Sequence, residues 1–124
     1  MQFASIRIIT ADVQRLTVFY ERLTGEPAIR RGAVFSQFQW PARELAIGDV
    51  STVAIVGPGI AEPAGNRSVL VEFLVEDVDA EYARLSDWVT DFVNSPTTMP
   101  WGNRSLLLRD PDGNLINLFA RPGA

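Results

Sequence analysis

The apolar and polar positions of this chain fall into two passages with the same opening. Residues 3–9 are rich in β-branched side chains and predict a strand. Asp12 then stands as a helix N-cap, and Val13, Leu16, Tyr20 and Leu23 recur at helical spacing until Gly25 and Pro27 end the helix. Residues 28–31, 34–40, 44–47 and 52–56 predict short strands, punctuated by Gly32, Pro41 and Gly48. Residues 57–66 (GPGIAEPAGN) read as a linker. Beyond it the pattern restarts: residues 69–75 predict a strand, Asp77 a cap, and Val78, Tyr82 and Leu85 an inward helical stripe. Residues 89–94, 105–109 and 115–120 predict three more strands. An offset of 65 residues lays Asp12-Val13 onto Asp77-Val78. The pattern implies two βαβββ modules, residues 1–56 and 67–122, in an α+β domain of mixed, curved sheets enclosing a cleft.

The last two strands flank Asp110-Pro111-Asp112-Gly113-Asn114. Proline presets the first corner of a turn there and Gly113 accepts a left-handed conformation, so a β-hairpin is expected. The segment PWGNRSLLLRDPDGN, with VEFLVEDVDAEYARL and IRIITADVQRLTVFYERLTG, resembles the glyoxalase/bleomycin resistance/extradiol dioxygenase (vicinal oxygen chelate) superfamily. The resemblance implies the same paired βαβββ architecture. It does not by itself choose an activity, because one scaffold hosts several.

Composition narrows the chemistry. With no cysteine and no histidine, thiolate chemistry is absent, and so are the commonest metal ligand and the commonest general base. The eleven basic residues are all arginine, so no lysine can form a Schiff base. A formal charge of −4 argues against a nucleic-acid surface and leaves cationic small molecules as partners. No apolar run is long enough for a membrane span and no signal-like N-terminus is present, which makes a cytoplasmic protein the expectation.

Enzymes of the resembled superfamily hold a divalent cation with His or Glu on the first and last strands of each module. Matched motif to motif, those positions fall here on Ser5, Leu70 and Asn117, and Glu44 is the only acid near the fourth. Leucine cannot ligate, and serine and a neutral amide are poor ligands. No metal or other cofactor is therefore expected, and glyoxalase-type or ring-cleaving chemistry is disfavoured. The resemblance turns the ligand positions toward a cleft. Strand alternation then adds Arg7 beside Ser5, and Glu72 beside Leu70, on the same faces. Because the repeat makes Arg7 and Glu72 equivalent, an ion pair between them is expected if the two strands lie side by side.

Phe35, Phe38, Trp40, Trp101 and Phe119 border the cleft in the resembled fold. For Phe38 and Trp40, core or dimer packing is the competing assignment. Trp101 sits in a Pro-Trp-Gly loop, and antibiotic-binding members of the superfamily carry a similar segment beside a flat, cationic ligand. The candidate ligand-binding residues are thus Ser5, Arg7, Phe35, Phe38, Trp40, Glu72, Trp101, Asn117 and Phe119, with none assigned as catalytic. The expected function is a homodimeric, metal-free binding protein of the bleomycin-resistance type, sequestering a planar or cationic antibiotic-like compound. A metal-free enzyme of lyase or isomerase type, using Arg7 and Glu72, is the alternative.

Overall fold

A computed structural model of the protein describes residues 1–123. The chain divides into two compact units, Met1–Gly65 and Asn66–Ala124. The first contains β1 (Ile6–Thr10), α1 (Val13–Thr24), β2 (Ile29–Arg30), β3 (Phe35–Trp40), β4 (Arg43–Asp49) and the short α2 (Ser51–Ala54). The second contains β5 (Leu70–Leu74), α3 (Val78–Leu85), β6 (Thr97–Thr98), β7 (Arg104–Arg109) and β8 (Leu115–Ala120). Each unit is a βαβββ module with a four-stranded mixed sheet, ordered β1-β4-β3-β2 in the first and β5-β8-β7-β6 in the second. The sheets are open, not closed. No helix of the described residues is long and apolar enough to cross a membrane.

The predicted caps form. The Asp12 carboxylate accepts from the Arg15 amide at 3.0 Å, and that of Asp77 from the Ala80 amide at 3.1 Å. Gly25 closes α1 at φ 74°, its amide donating to the Glu21 carbonyl. Val13, Leu16, Tyr20 and Leu23 are buried, as their spacing requires. Thr17 shares their face and meets Ser36 of β3 at 2.6 Å, a buried hydroxyl pair that ties helix to sheet.

Two predicted strands are absent. Residues 52–56 begin in α2, despite their β-branched side chains, because Asp49, just before the Val50 N-cap, ties down the first turn. Its carboxylate accepts from the Ser51 amide at 2.9 Å and its carbonyl from the Thr52 hydroxyl at 2.7 Å. Such local side-chain-to-backbone bonds outweigh a propensity of a few tenths of a kcal/mol per residue. Residues 89–94 make only an isolated bridge, Phe92 with Leu108. The third partner of that sheet is instead the two-residue β6, paired through Thr97–Ser105 and Thr98–Arg104.

In the first unit, Arg30 of β2 grips Glu21 of α1 through both guanidinium nitrogens at 2.9 and 2.7 Å, and the Ala28 amide donates to the same carboxylate at 2.9 Å. The Arg30 hydrogen bond, then the Ala28 amide, hold the Glu21 carboxyl down from 4.5 to about 2. A carboxyl depressed on folding contributes stability above its unfolded value and loses it as the pH falls. The contribution should be complete above pH 4.5 and vanish between there and about pH 2. Both side chains are partly exposed, so its size is about 1 kcal/mol at most. Acid titration of the melting temperature should show a shallower fall over that window in Glu21→Gln than in the parent. Parallel curves would remove Glu21 from the acid response.

Candidate functional site

Each sheet has one face under its helix and one face turned away. In the second unit Ile116, Leu118 and Ala120 of β8 and Leu106 and Leu108 of β7 are buried on the α3 side. The alternate residues define the other face. The strand registers set them in rows: Leu74–Phe119–Ser105, Glu72–Asn117–Leu107 and Leu70–Leu115–Arg109. The middle row places one polar pair among leucines and a phenylalanine. Asn117 Nδ2 donates to Glu72 Oε2 at 2.8 Å. A carboxylate only accepts, so this contact fixes the amide's orientation and turns its Oδ1 the other way. That oxygen is buried and has no hydrogen-bond partner among the described residues. The Arg121 guanidinium stands 5.8 Å from the centre of the Phe119 ring, within cation–π reach.

Trp101 lies in the turn before β7, where the Gly102 amide donates to the Met99 carbonyl at 2.8 Å and the Met99 amide to the Asn103 carbonyl at 2.7 Å. Its side chain is 70% exposed. An indole so open does not anchor the loop by packing.

In the first unit the rows are Ile9–Gly48–Phe35 and Arg7–Ala46–Gln37, with Glu44 opposite Gln39 below them. Glu44 Oε1 accepts from Gln37 at 2.8 Å and from Gln39 at 3.0 Å, and Arg31 donates to Gln37 Oε1. Arg7 lies flat over Gly48: a Cβ built there would stand 3.2 Å from Arg7 Cδ.

Several sequence expectations are relocated by these registers. Phe35 and Arg7 lie on the face away from α1. Phe38 and Trp40 do not. Phe38 packs edge-on to Tyr20 of α1, centroids 6.4 Å apart, and Trp40 stacks on Phe38 at 6.1 Å. Both belong to the helix side, where Phe38 is core, because residues 38 and 40 share parity with Ser36, the partner of Thr17. Glu72 is held by Asn117, its neighbour on β8, and the Arg7 stem lies against Gly48 on β4. Within its own sheet β1 lies beside β4, and β5 beside β8. Ser5 precedes β1 and is half-buried.

A model of the family described as glyoxalase/bleomycin resistance protein/dioxygenase superfamily matches residues 2–118. The chain belongs to this superfamily. No curated protein sequence matches it. Among solved structures, a glyoxalase/bleomycin resistance protein/dioxygenase family enzyme from Burkholderia phytofirmans PsJN has a TM-score of 0.85 at 15% identity, over 97% of this chain and 98% of that one. A second family protein, from Nocardioides, reaches 0.80 at 24% identity over 100% and 86% of the two chains. A lactoylglutathione lyase from Agrobacterium tumefaciens reaches 0.73 at 17% identity over 95% and 92%. At such identities these likenesses establish the fold.

For a glyoxalase-superfamily chain, the registers complete the comparison with the ligand positions expected of its enzymes. Arg7 pairs with Ala46 where Glu72 pairs with Asn117, so the first module's last-strand position is Ala46, not Glu44. The four positions are Ser5, Ala46, Leu70 and Asn117. A hydroxyl, a methyl, an isobutyl and an amide do not fit a divalent cation. Among the described residues no three acidic side chains gather elsewhere into a metal-binding group. The Ala46 register was accessible in principle. Pro41-Ala42, with Ala42 at φ 59°, makes a two-residue turn between Trp40 and Arg43, and counting back from it pairs Gln37 with Ala46.

Proposed function

We propose that this superfamily member is a small-molecule binding protein acting without a metal, and that its ligand is flat and carries N–H donors, as a protonated amine or amidine does. What carries this reading is the middle of the second sheet's open face. Glu72 and the unanswered Asn117 Oδ1 form a pair of acceptors ringed by Leu70, Leu74, Leu107, Leu115 and Phe119. An apolar surround with few placed polar groups is the usual composition of a ligand site. A donor reaching Oδ1 would relieve a cost of about 1–3 kcal/mol for an unpaired buried acceptor. Trp101, exposed on the same unit, offers an aromatic face to a planar or cationic partner. Sequestration of an antibiotic-like compound is the physiological role that fits, in a cytoplasmic homodimer. Self-association is supported by the outward apolar side chains of Phe3, Ile55 and Val56.

The test is a titration of the purified protein with benzamidine and a panel of cationic antibiotics. Binding should quench or shift tryptophan fluorescence. Glu72→Gln should weaken it by about tenfold, the loss of one charge-assisted hydrogen bond. Trp101→Ala should weaken it without changing the fold. If cationic ligands bind both variants as they bind the parent, the acceptor pair is not the recognition element. Light scattering that reports a monomer at high concentration would remove the dimer from this reading.

A further inference from the structure

The second unit lays a cation of its own on the face that carries the acceptor pair. Asn117 and Phe119 follow one another along β8 on that face, about 7 Å apart. Arg121, the next residue of the same parity, lies just past the end of β8. Its guanidinium folds back to stand 5.8 Å from the centre of the Phe119 ring. Arg84, Arg104 and Arg109 of the same unit donate to oxygens of Glu81, Asp79 and Gly113. Arg121 makes no hydrogen bond or ion pair among the described residues, and the aromatic ring is what it rests on.

The backbone at Arg121 is anchored on both sides. Ala120 pairs with Arg104 in the β7–β8 ladder. Pro122 lies over Gly102, where a Cβ would stand 3.0 Å from Pro122 Cγ. Gly102 has φ 102°, so its backbone as well as the proline above it calls for glycine. Consecutive tail residues thus meet both aromatic parts of the cationic site, Arg121 at Phe119 and Pro122 at the residue next to Trp101. Asn117 Oδ1, the acceptor without a partner, is buried. A ligand donor reaches it only when a side chain of that face moves. Phe119 adjoins it, and the group lying on Phe119 is tethered by a fixed backbone but held by no hydrogen bond.

We infer that Arg121 is a built-in competitor for the cationic site: in the free protein its guanidinium occupies the Phe119 face, and a cationic ligand binds by displacing it. The inference rests on the acceptor-pair reading proposed above and adds the device that regulates it. A guanidinium is planar and weakly hydrated, so it leaves water for an aromatic face at little cost. The contact is that of an exposed cation–π pair, which handicaps an incoming cation by about two- to fivefold. Weak cations present in excess are thereby kept off, while a ligand that also donates to Asn117 Oδ1 and Glu72 overcomes the handicap.

The experiment is an NMR titration of the full chain with benzamidine. In the free parent the Arg121 Cδ protons should be shifted upfield by the Phe119 ring, and saturation with benzamidine should abolish that shift. Arg121→Ala should bind benzamidine about two- to fivefold more tightly than the parent. Arg109→Ala removes the same charge from the same face, but from a side chain held by the Gly113 carbonyl, and should leave the affinity unchanged. In a Phe119→Leu background, Arg121→Ala should no longer change the affinity, because the contact it relieves is already gone. The inference is overturned if Arg121→Ala binds benzamidine as the parent does, if Arg109→Ala gives the same gain, or if the Arg121 shift persists at saturation. Benzamidine binding that depends on Glu72 but not on Arg121 would sink this inference alone. Failure of benzamidine to bind either the parent or Arg121→Ala would sink the acceptor-pair reading and this inference with it.

Discussion

Tyr20→Ala should destabilise the first unit by about 3–5 kcal/mol, the range for truncating a fully buried aromatic. Tyr20 has no solvent exposure and lies at the junction of helix and sheet. Its ring meets Phe19 edge-on at 5.4 Å and Phe38 at 6.4 Å, and Phe38 stacks on Trp40. Removing it would leave a void beside Phe38, whose strand is held in the β3–β4 ladder and cannot collapse inward. Tyr20→Phe keeps the ring and should cost much less. Urea unfolding followed by tryptophan fluorescence measures both. A loss below about 1 kcal/mol for the alanine variant would mean that the site relaxes or that the aromatic cluster is not the core of this unit.

Asp110→Ala should cost the second unit about 3 kcal/mol, by orphaning buried donors and not by opening a void. Asp110 is 4% exposed at the entry to the β7–β8 turn. Its Oδ1 accepts from the amides of Asp112 at 2.9 Å and Asn114 at 3.0 Å, and its Oδ2 from the Asn114 side chain at 2.8 Å. The Asn114 oxygen in turn accepts from Asn66 at 3.1 Å, and Asn66 also holds both the amide and the carbonyl of Val69. The turn thus fastens the start of β5 to the hairpin that carries Asn117 and Phe119. Asp110→Asn should fall between parent and alanine, since one oxygen remains but an amide nitrogen now faces the amide of Asn114. The measurement is a chemical denaturation series on all three proteins. Equal stability of the alanine variant and the parent would show that the network is dispensable. Because β8 supplies the candidate acceptor site, binding of cationic probes should weaken in step with the unfolding of this hairpin.

Much of the architecture is a local property of the sequence. The two strand–helix openings, the Asp12 and Asp77 caps, the Gly25 terminator and the Asp110–Asn114 turn each depend on residues within a few positions of one another, so pattern alone specifies them. Alternation likewise determined that Arg7 shares a face with Ser5, and Glu72 with Leu70. It could not determine which face of each sheet its helix covers. That sign is set by packing: Tyr20 and Thr17 of α1 reach Phe38 and Ser36, which puts Phe38 and Trp40 under the helix and leaves Phe35 on the open side. Register was decided at longer range. The pairing of Arg7 with Ala46 and of Phe35 with Gly48 depends on where three strands come to rest against one another. A slip of two residues between β1 and β4 would have put Glu44 opposite Arg7, at the ligand position. The strand propensity of residues 52–56 yielded to the Asp49 hydrogen bonds because these satisfy specific donors, whereas propensity only weights the backbone. Sequence set which side chains this protein has to offer a ligand; tertiary packing alone brought Arg7, Gly48 and Phe35 together, because that meeting needs three strands from separate parts of the chain.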